Sequence, residues 1–224
     1  MTRKIICLTS VRGRSGKDTL IDLLVKAGHD VARVAFGDCL KEECAKDLAN
    51  DVFTAEDLLG FFHSDAKDQP MPGLAIKELP SSQYTRFLMM NRKDPVAHRY
   101  YGQPRTPRWH LQQYGTNFRR DHLKNPDVWL DAGMKVIENT EAEIIVVSDL
   151  RQRNEYNRLA HNGPMRLRPY MVRLQRLWHI PGVDDAEYHV TDLDLIGAHM
   201  NAVVLNEWGN PEGMLDQLKT QGVI

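Results

Sequence analysis

The stretch from Val11 to Thr19, which reads VRGRSGKDT, has the residue types of a loop that binds phosphate. The general pattern of such a loop is G-x-x-x-x-G-K-[ST]. Gly16 and Lys17 match its end, whereas Val11 replaces the first glycine and Asp18 stands at the hydroxyl position. Glycine lets the backbone approach an anion closely, and lysine adds a positive charge between the outer phosphates. The predicted ligands of the nucleotide phosphates in this loop are Gly13, Arg14, Ser15, Gly16, Lys17, Asp18 and Thr19.

A second candidate is Asp149, which follows the apolar run of a predicted strand from Glu143 to Ser148. Open α/β sheets bind ligands at the carboxyl ends of their strands, so an acid here can hold magnesium beside a phosphate loop. Asp18 could bind the same ion through water, and Thr19 offers a hydroxyl one residue on. The competing interpretation of Asp149 is an N-cap of the next helix. Arg151 would face the same crevice.

The segment from Arg105 to Asp121, RTPRWHLQQYGTNFRRD, concentrates arginine, glutamine and aromatic side chains. Guanidinium groups clamp phosphate, glutamine reads base edges and aromatic rings stack on bases. The competing interpretation is an amphipathic surface helix with a buried apolar side. Its candidate substrate ligands are Arg105, Arg108, Gln112, Gln113, Thr116, Arg119 and Arg120.

Arg173 and Arg176 lie at the end of a late predicted strand, before a polar loop. An arginine there could sit over ATP or stabilise the charge of a transferred phosphoryl group. A solvated run of charges is an equally good interpretation. Residues 176–192 are predicted to form a short lid loop.

The elements that position these residues alternate along the chain. The opening segment predicts a strand from Lys4 to Thr9, a helix from Lys17 to Ala27 and a strand from Val31 to Phe36, which is the setting that a phosphate loop needs. Five predicted strands alternating with helices indicate an α/β fold with a five-stranded parallel sheet covered by helices on both faces. A proline-rich stretch with weak periodicity predicts an inserted helical and irregular subdomain, taken as residues 50–125 of a single domain of residues 1–224.

Composition fits an ordinary globular protein. The 224 residues are 42% hydrophobic and 26% charged, with a formal net charge of -1, so no global basic field favours nucleic acid. The three cysteines, Cys7, Cys39 and Cys44, have neither zinc-site nor redox-motif spacing. We expect no membrane association and a cytoplasmic protein, which for a viral protein means the host cytoplasm.

Together these motifs resemble the deoxynucleoside monophosphate kinases of bacteriophages, a family of P-loop kinases. Arg14 to Thr19 reads RSGKDT, as the family's loop does, and Phe36 to Lys41 resembles its FADPLK segment. The stretch from Pro107 to Arg120 is similar to its PR-x-LLQ-x-x-GT helix. Further matches are Trp129, Asp149 to Glu155, His189 to Asp192 and Asn201 to Asn206. Residues 50–103 match poorly.

The resemblance implies a P-loop kinase fold and transfer of the γ-phosphoryl group of ATP, with Mg²⁺, to a deoxynucleoside monophosphate. It further implies a closing movement and allows a homodimer. Lys17, Arg14, Arg151 and Arg176 are the expected catalytic residues, and Asp18, Thr19 and Asp149 the expected metal ligands. Arg173 and Asn206 join the ATP ligands. The remaining expected acceptor ligands are Asp38, Lys41, Lys67, Trp129, Asp149 and Arg151.

Two alternatives stay open. One is a related kinase that phosphorylates a modified base, 5-hydroxymethyluracil, within DNA. Basic residues of the insert favour it mildly, namely Arg86, Arg92, Lys93, Arg99 and Arg105. The other is a nucleotide-binding switch without turnover, against which the arginine- and glutamine-rich segment argues.

Overall fold

The computed structural model describes residues 3–90, 100–162, 168–185, 187–188 and 190–224. The chain divides into two compact units. Unit 1 comprises Met1–Phe36 and Ala132–Ile224, and unit 2 comprises Gly37–Asp131. The predicted insert of residues 50–125 lies within unit 2, which begins and ends further out in the sequence.

Unit 1 is built on a five-stranded, all-parallel sheet, so this part of the fold prediction is confirmed. The strands are β1 (Lys4–Thr9), β2 (Val31–Val34), β3 (Ile144–Val147), β4 (Tyr170–Arg176) and β5 (Ala202–Asn206). Their order across the sheet is β2-β3-β1-β4-β5, which places β1 at the centre between β3 and β4. The carboxyl ends of these three strands therefore meet at one edge of the sheet.

The helices of the chain follow, with bounds as they stand in the structure. They are α1 (Lys17–Lys26), α2 (Phe36–Leu48), α3 (Ala55–His63), α4 (Gln83–Met90), α5 (Pro107–Gln112), α6 (Val128–Asn139), α7 (Arg153–Asn162), α8 (Val190–Leu193) and α9 (Gly213–Thr220). A π-helix, Gln113–His122, continues from α5, and three short 3₁₀ turns lie at Asp65–Asp68, Pro72–Leu74 and Ile76–Glu78. Within the described part of the chain, each helix is too short or too polar to span a bilayer.

The core of unit 1 explains why β1 is central. Alternate residues of β1, Ile6 and Leu8, pack in a cluster with the apolar sides of α1 and α9, including Leu20, Leu24 and Leu218. Residues that point to the opposite face are buried too, among them Ile5, Cys7, Ile145, Val147 and Met171. Near-continuous apolar strands that are buried on both faces are typical of parallel sheets.

Unit 2 has a separate core, made mainly of aromatic residues. Tyr84, Tyr114, Phe118 and Trp129 are buried together, and Tyr84 meets Tyr114 edge-on with ring centroids 5.0 Å apart. His110 lies fully buried in the same region, and Tyr84 Oη is 3.1 Å from its Nδ1. Burial lowers the pKa of His110 to about 4, so the ring is neutral at physiological pH.

Two boundaries differ from the sequence predictions. The strand predicted to reach Phe36 ends at Val34, and α2 begins at Phe36 rather than near Leu40. The side chain of Asp149 causes this, because its Oδ1 accepts a hydrogen bond from Phe36 N at 2.9 Å and so satisfies an amide at the start of α2.

Candidate functional site

The loop between β1 and α1 has the backbone of an anion cradle. Gly16 has a φ of 99° and Arg14 a φ of 55°, so two positions of the loop are left-handed. Left-handed positions within a turn gather backbone N–H groups into a concavity that suits anions. The carbonyl of Gly16 accepts from Leu20 N at 2.9 Å, which starts α1 directly after the loop. The loop amides and the amino end of α1 thus belong to one continuous segment.

Lys17 is the cation of this segment, and its side chain folds back over the loop. Its Nζ donates to Ser10 Oγ at 2.7 Å and lies 3.5 Å from Ser15 Oγ. Burial, together with repulsion from Arg151, lowers the pKa of Lys17 to about 8, while Asp18 and Asp149 act in the opposite direction. A poorly solvated ammonium group gains strongly from an incoming anion, because the anion replaces the lost hydration.

Asn206, the last residue of β5, supports the loop from below. Its Nδ2 donates to the carbonyl of Ser15 at 3.0 Å, and both groups are buried. A Cβ atom on Gly16 would lie 2.3 Å from the same Nδ2, so only glycine fits this position. The expected contact of Asn206 with the nucleotide stays a prediction, but in this structure its amide is used to hold the loop.

Asp149 follows β3, the strand that pairs in parallel with β1. Its carboxylate holds Phe36 N, as described above, and it is not the N-cap of α7. That role falls to Glu155, whose Oε2 accepts from the amides of Arg151 and Gln152, both at 2.9 Å. Arg151 is exposed and lies 3.7 Å from a carboxylate oxygen of Asp192. The sheet therefore brings Asp149 to the edge at which the loop lies.

The remaining metal candidates point outward. Asp18 is largely exposed, with its carboxylate 3.9 Å from Arg33 Nε, and Thr19 is exposed as well. Among the described residues, no group of three or more histidine, cysteine, aspartate or glutamate side chains could hold a metal ion. The metal prediction for Asp18, Thr19 and Asp149 therefore stays a prediction.

Arg173 and Arg176 line a cavity of about 650 Å³ in unit 1, together with loop residues that include Arg12 and Ser15. Arg173 donates to the carbonyl of Leu195 at 2.6 Å. Arg176 is nearly buried, and its guanidinium binds the carboxylate of Asp184 through two hydrogen bonds of 2.6 Å. The predicted lid of residues 176–192 includes 186 and His189, which lie outside the described residues.

Unit 2 carries the arginine-rich segment. Thr106 caps α5 by accepting from Trp109 N at 3.0 Å, as its sequence predicts. Arg105 lies over the rings of Tyr100 and Trp109, with its guanidinium carbon 4.1 Å and 4.6 Å from the two centroids. Arg108 forms a two-contact ion pair with Asp68, one contact being 3.1 Å from Nη2 to Oδ2.

Other cations of unit 2 are paired as well. Arg119 Nη2 lies 2.9 Å from Glu43 Oε1, and Lys41 Nζ lies 2.9 Å from Asp38 Oδ1. The Nε atoms of Arg105, Arg119 and Arg120 are nevertheless buried without a hydrogen-bond partner in the described residues. Buried donors without partners call for an explanation, and a bound anion is one.

The last group of predicted acceptor ligands differs in accessibility. Gln112 and Thr116 are exposed, Lys67 is half-buried, and Gln113 Oε1 accepts from Asn117 Nδ2 at 2.8 Å. Trp129 is buried, and its indole N–H donates to the carbonyl of Gly115 at 3.2 Å. In this structure Trp129 therefore packs the core, and it offers no free ring face for a base. Arg92, Lys93 and Arg99 lie outside the described residues.

Sequence reasoning missed three residues of this region, namely Ser10, Arg12 and Asp184. Ser10 holds the Lys17 ammonium, and Arg12 donates to the carbonyl of Asp184 at 2.8 Å. Ser10 and Arg12 lie next to the loop motif, so proximity to Gly16 and Lys17 was an available signal. Asp184 had none, because its partners are distant in sequence.

The chain matches no protein-family model, and no curated protein sequence matches it significantly. The resemblance to phage kinases therefore depends on the motifs alone.

Proposed function

We propose that the chain is a P-loop phosphotransferase that moves the γ-phosphoryl group of ATP to a deoxynucleoside monophosphate. The observation that carries this proposal is the segment from Ser10 to Lys17. It joins a central strand to a helix, has a left-handed Gly16 and folds a desolvated lysine over its own amides. The strand order β2-β3-β1-β4-β5 is compatible with a P-loop kinase fold.

In this proposal the donor side belongs to unit 1. The loop amides and Arg14 bind the outer phosphates of ATP, and Lys17 neutralises charge between them. Mg²⁺ prefers one or two carboxylates plus substrate phosphates over an all-protein cage. Asp149, with Thr19 and a water-mediated Asp18, fits that mode, which needs no protein cluster of three ligands. The ion supplies charge neutralisation on the phosphate oxygens.

The acceptor side is assigned to unit 2. Its arginines at 105, 108, 119 and 120, together with Lys41, supply the charge for a monophosphate, and three of them have a buried Nε without a partner in the described residues. An anionic phosphate oxygen is itself the nucleophile, so no strong base is required. It forms a bond to the γ-phosphorus as the bond from that phosphorus to the bridging oxygen of ADP breaks, and the products are a dNDP and ADP.

The decisive assay offers purified protein, ATP and Mg²⁺ with each dNMP, each NMP and duplex DNA in separate reactions. Conversion of at least one monophosphate to a diphosphate, with ADP formed in equal amount, is the expected result. Label transferred to DNA containing 5-hydroxymethyluracil, with no free monophosphate converted, would replace the proposal by the DNA kinase. ATP binding without any turnover would leave only the switch.

A further inference from the structure

The cavity in unit 1 is strongly cationic. Three arginines line it, Arg12, Arg173 and Arg176, and among the described residues of its wall Asp184 is the single carboxylate. Three positive charges and one negative charge leave a net charge of +2 on the lining. Ser15 of the loop belongs to the same wall, so the cavity adjoins the candidate phosphate site.

Asp184 is bound in this cavity as an oxyanion would be. Its two carboxylate oxygens each accept from a different terminal nitrogen of Arg176 at 2.6 Å, and Oδ2 also accepts from Ile180 N at 2.7 Å. Arginine binds phosphate with the same parallel pair of hydrogen bonds. The Arg176 guanidinium, followed by the Ile180 amide, holds the pKa of Asp184 at about 2, so the group is charged at neutral pH.

Arg176 keeps unused capacity for a ligand. Its side chain is only 4% exposed, and its Nε is buried without a partner among the described residues. On the other side of Asp184, Arg12 lies over the ring of Tyr188 with its guanidinium carbon 3.5 Å from the centroid, which fixes the direction of its donors. Two oriented guanidinium groups and one carboxylate thus form a preorganised anion site that an internal anion fills.

We propose that Asp184 is an internal competitor of the nucleotide. In the unliganded chain its carboxylate takes the face of Arg176 that a phosphate oxygen of ATP takes on binding. This inference deepens the proposed function and rests on it. The apparent affinity for ATP is then lowered by the fraction of molecules in which Asp184 is bound. A polyphosphate displaces the carboxylate because it brings more negative charge, whereas monovalent anions do not, so the contact favours nucleotides over small anions.

The test is the affinity for Mg·ATP without acceptor, measured by calorimetry on the full chain and on Asp184→Asn. We expect the variant to bind at least roughly tenfold more tightly, because one charge-assisted interaction no longer has to be broken. Asp185→Asn is the matched control, since Asp185 lies on the same loop, is mostly exposed and contacts His179 rather than Arg176. It should bind as the unchanged chain does.

Equal or weaker binding by Asp184→Asn, with normal binding by the unchanged chain, would overturn the competitor and leave the proposed kinase intact. Failure of the unchanged chain to bind Mg·ATP at all would overturn both.

A second measurement needs no variant and covers the case in which Asp184→Asn does not fold. Hydrogen exchange at the Ile180 amide should accelerate when Mg·ATP is added, because this amide loses its carboxylate acceptor. Slower or unchanged exchange in the presence of saturating Mg·ATP would show that Asp184 stays on Arg176 and would overturn the proposal.

Discussion

The two units hold their positive charges in opposite ways. In unit 1 the cation of the loop, Lys17, touches two serine hydroxyls and is destabilised by burial and by Arg151. In unit 2 the cations are satisfied, since Arg108 pairs with Asp68, Arg119 with Glu43, and Arg105 stacks on two rings.

This difference indicates two kinds of site. A lysine that lacks a carboxylate at contact distance is poised to gain an anion, and its contribution should be large and irreplaceable. Arginines that already have partners must exchange them when a ligand binds, so each should contribute less and one could compensate for another. The predictions below test this contrast, from the largest expected effect to the smallest.

Lys17→Ala should lower the rate of phosphoryl transfer by about a thousandfold or more while the fold is kept, because charge neutralisation is the main catalytic term in this chemistry. The measurement is kcat with ATP and the best monophosphate, with circular dichroism to verify folding. Lys26→Ala, an exposed lysine in the last turn of the same helix, is the control. Near-normal turnover of the Lys17 variant would place the active site elsewhere.

Gly16→Ala should distort the loop and destabilise unit 1 by several kcal/mol. Two costs add here, about 1–2 kcal/mol for a left-handed backbone at a residue with a Cβ and the clash of that Cβ with Asn206, 2.3 Å away. The measurement is the free energy of unfolding in urea.

Gly28→Ala separates these two costs. Gly28 has a φ of 90°, close to that of Gly16, but a Cβ there would meet no atom within 4 Å. This variant should therefore lose only the backbone term, about 1–2 kcal/mol. Equal losses in both variants would mean that the support of the loop by Asn206 is unimportant.

The affinity of unit 1 for ATP should fall as the pH rises above about 8. The pKa of Lys17 is lowered to about 8 in the unliganded chain, so the ammonium loses its proton above that value, whereas a bound phosphate favours the charged form. Binding then requires uptake of one proton, and affinity should drop by up to about tenfold per pH unit. Calorimetry in buffers of different ionisation enthalpy measures this uptake. An affinity independent of pH between 7 and 9.5 would contradict it.

Local features of the structure were predictable from the sequence because their causes are local. Thr54 and Asp57 form the capping box that their spacing indicates, and Thr106 caps α5 ahead of Pro107. The apolar run Ile144–Val147 is a buried strand, since such a run needs burial on both faces. The phosphate loop was recognisable for the same reason.

The rest depends on contacts between distant residues. The start of α2 at Phe36 depends on Asp149, 113 residues away, and the loop is held by Asn206, 191 residues from Ser15. Neither pairing leaves a signal in one sequence. The π-helix was missed because its hydrogen bonds differ from those of an α-helix by one residue, which the side-chain pattern does not resolve.

The smallest expected effect concerns the paired arginines of unit 2. Arg108→Ala should raise the KM for the monophosphate severalfold and leave kcat and the melting temperature nearly unchanged, because the group is exposed and neighbouring arginines remain. Asp68→Asn removes the partner and keeps Arg108, so it should lower the same KM slightly. If both substitutions raise KM alike, the ion pair itself shapes the site. If neither changes KM, Arg108 is a surface residue and the acceptor phosphate is bound by the arginines of the π-helix, Arg119 and Arg120.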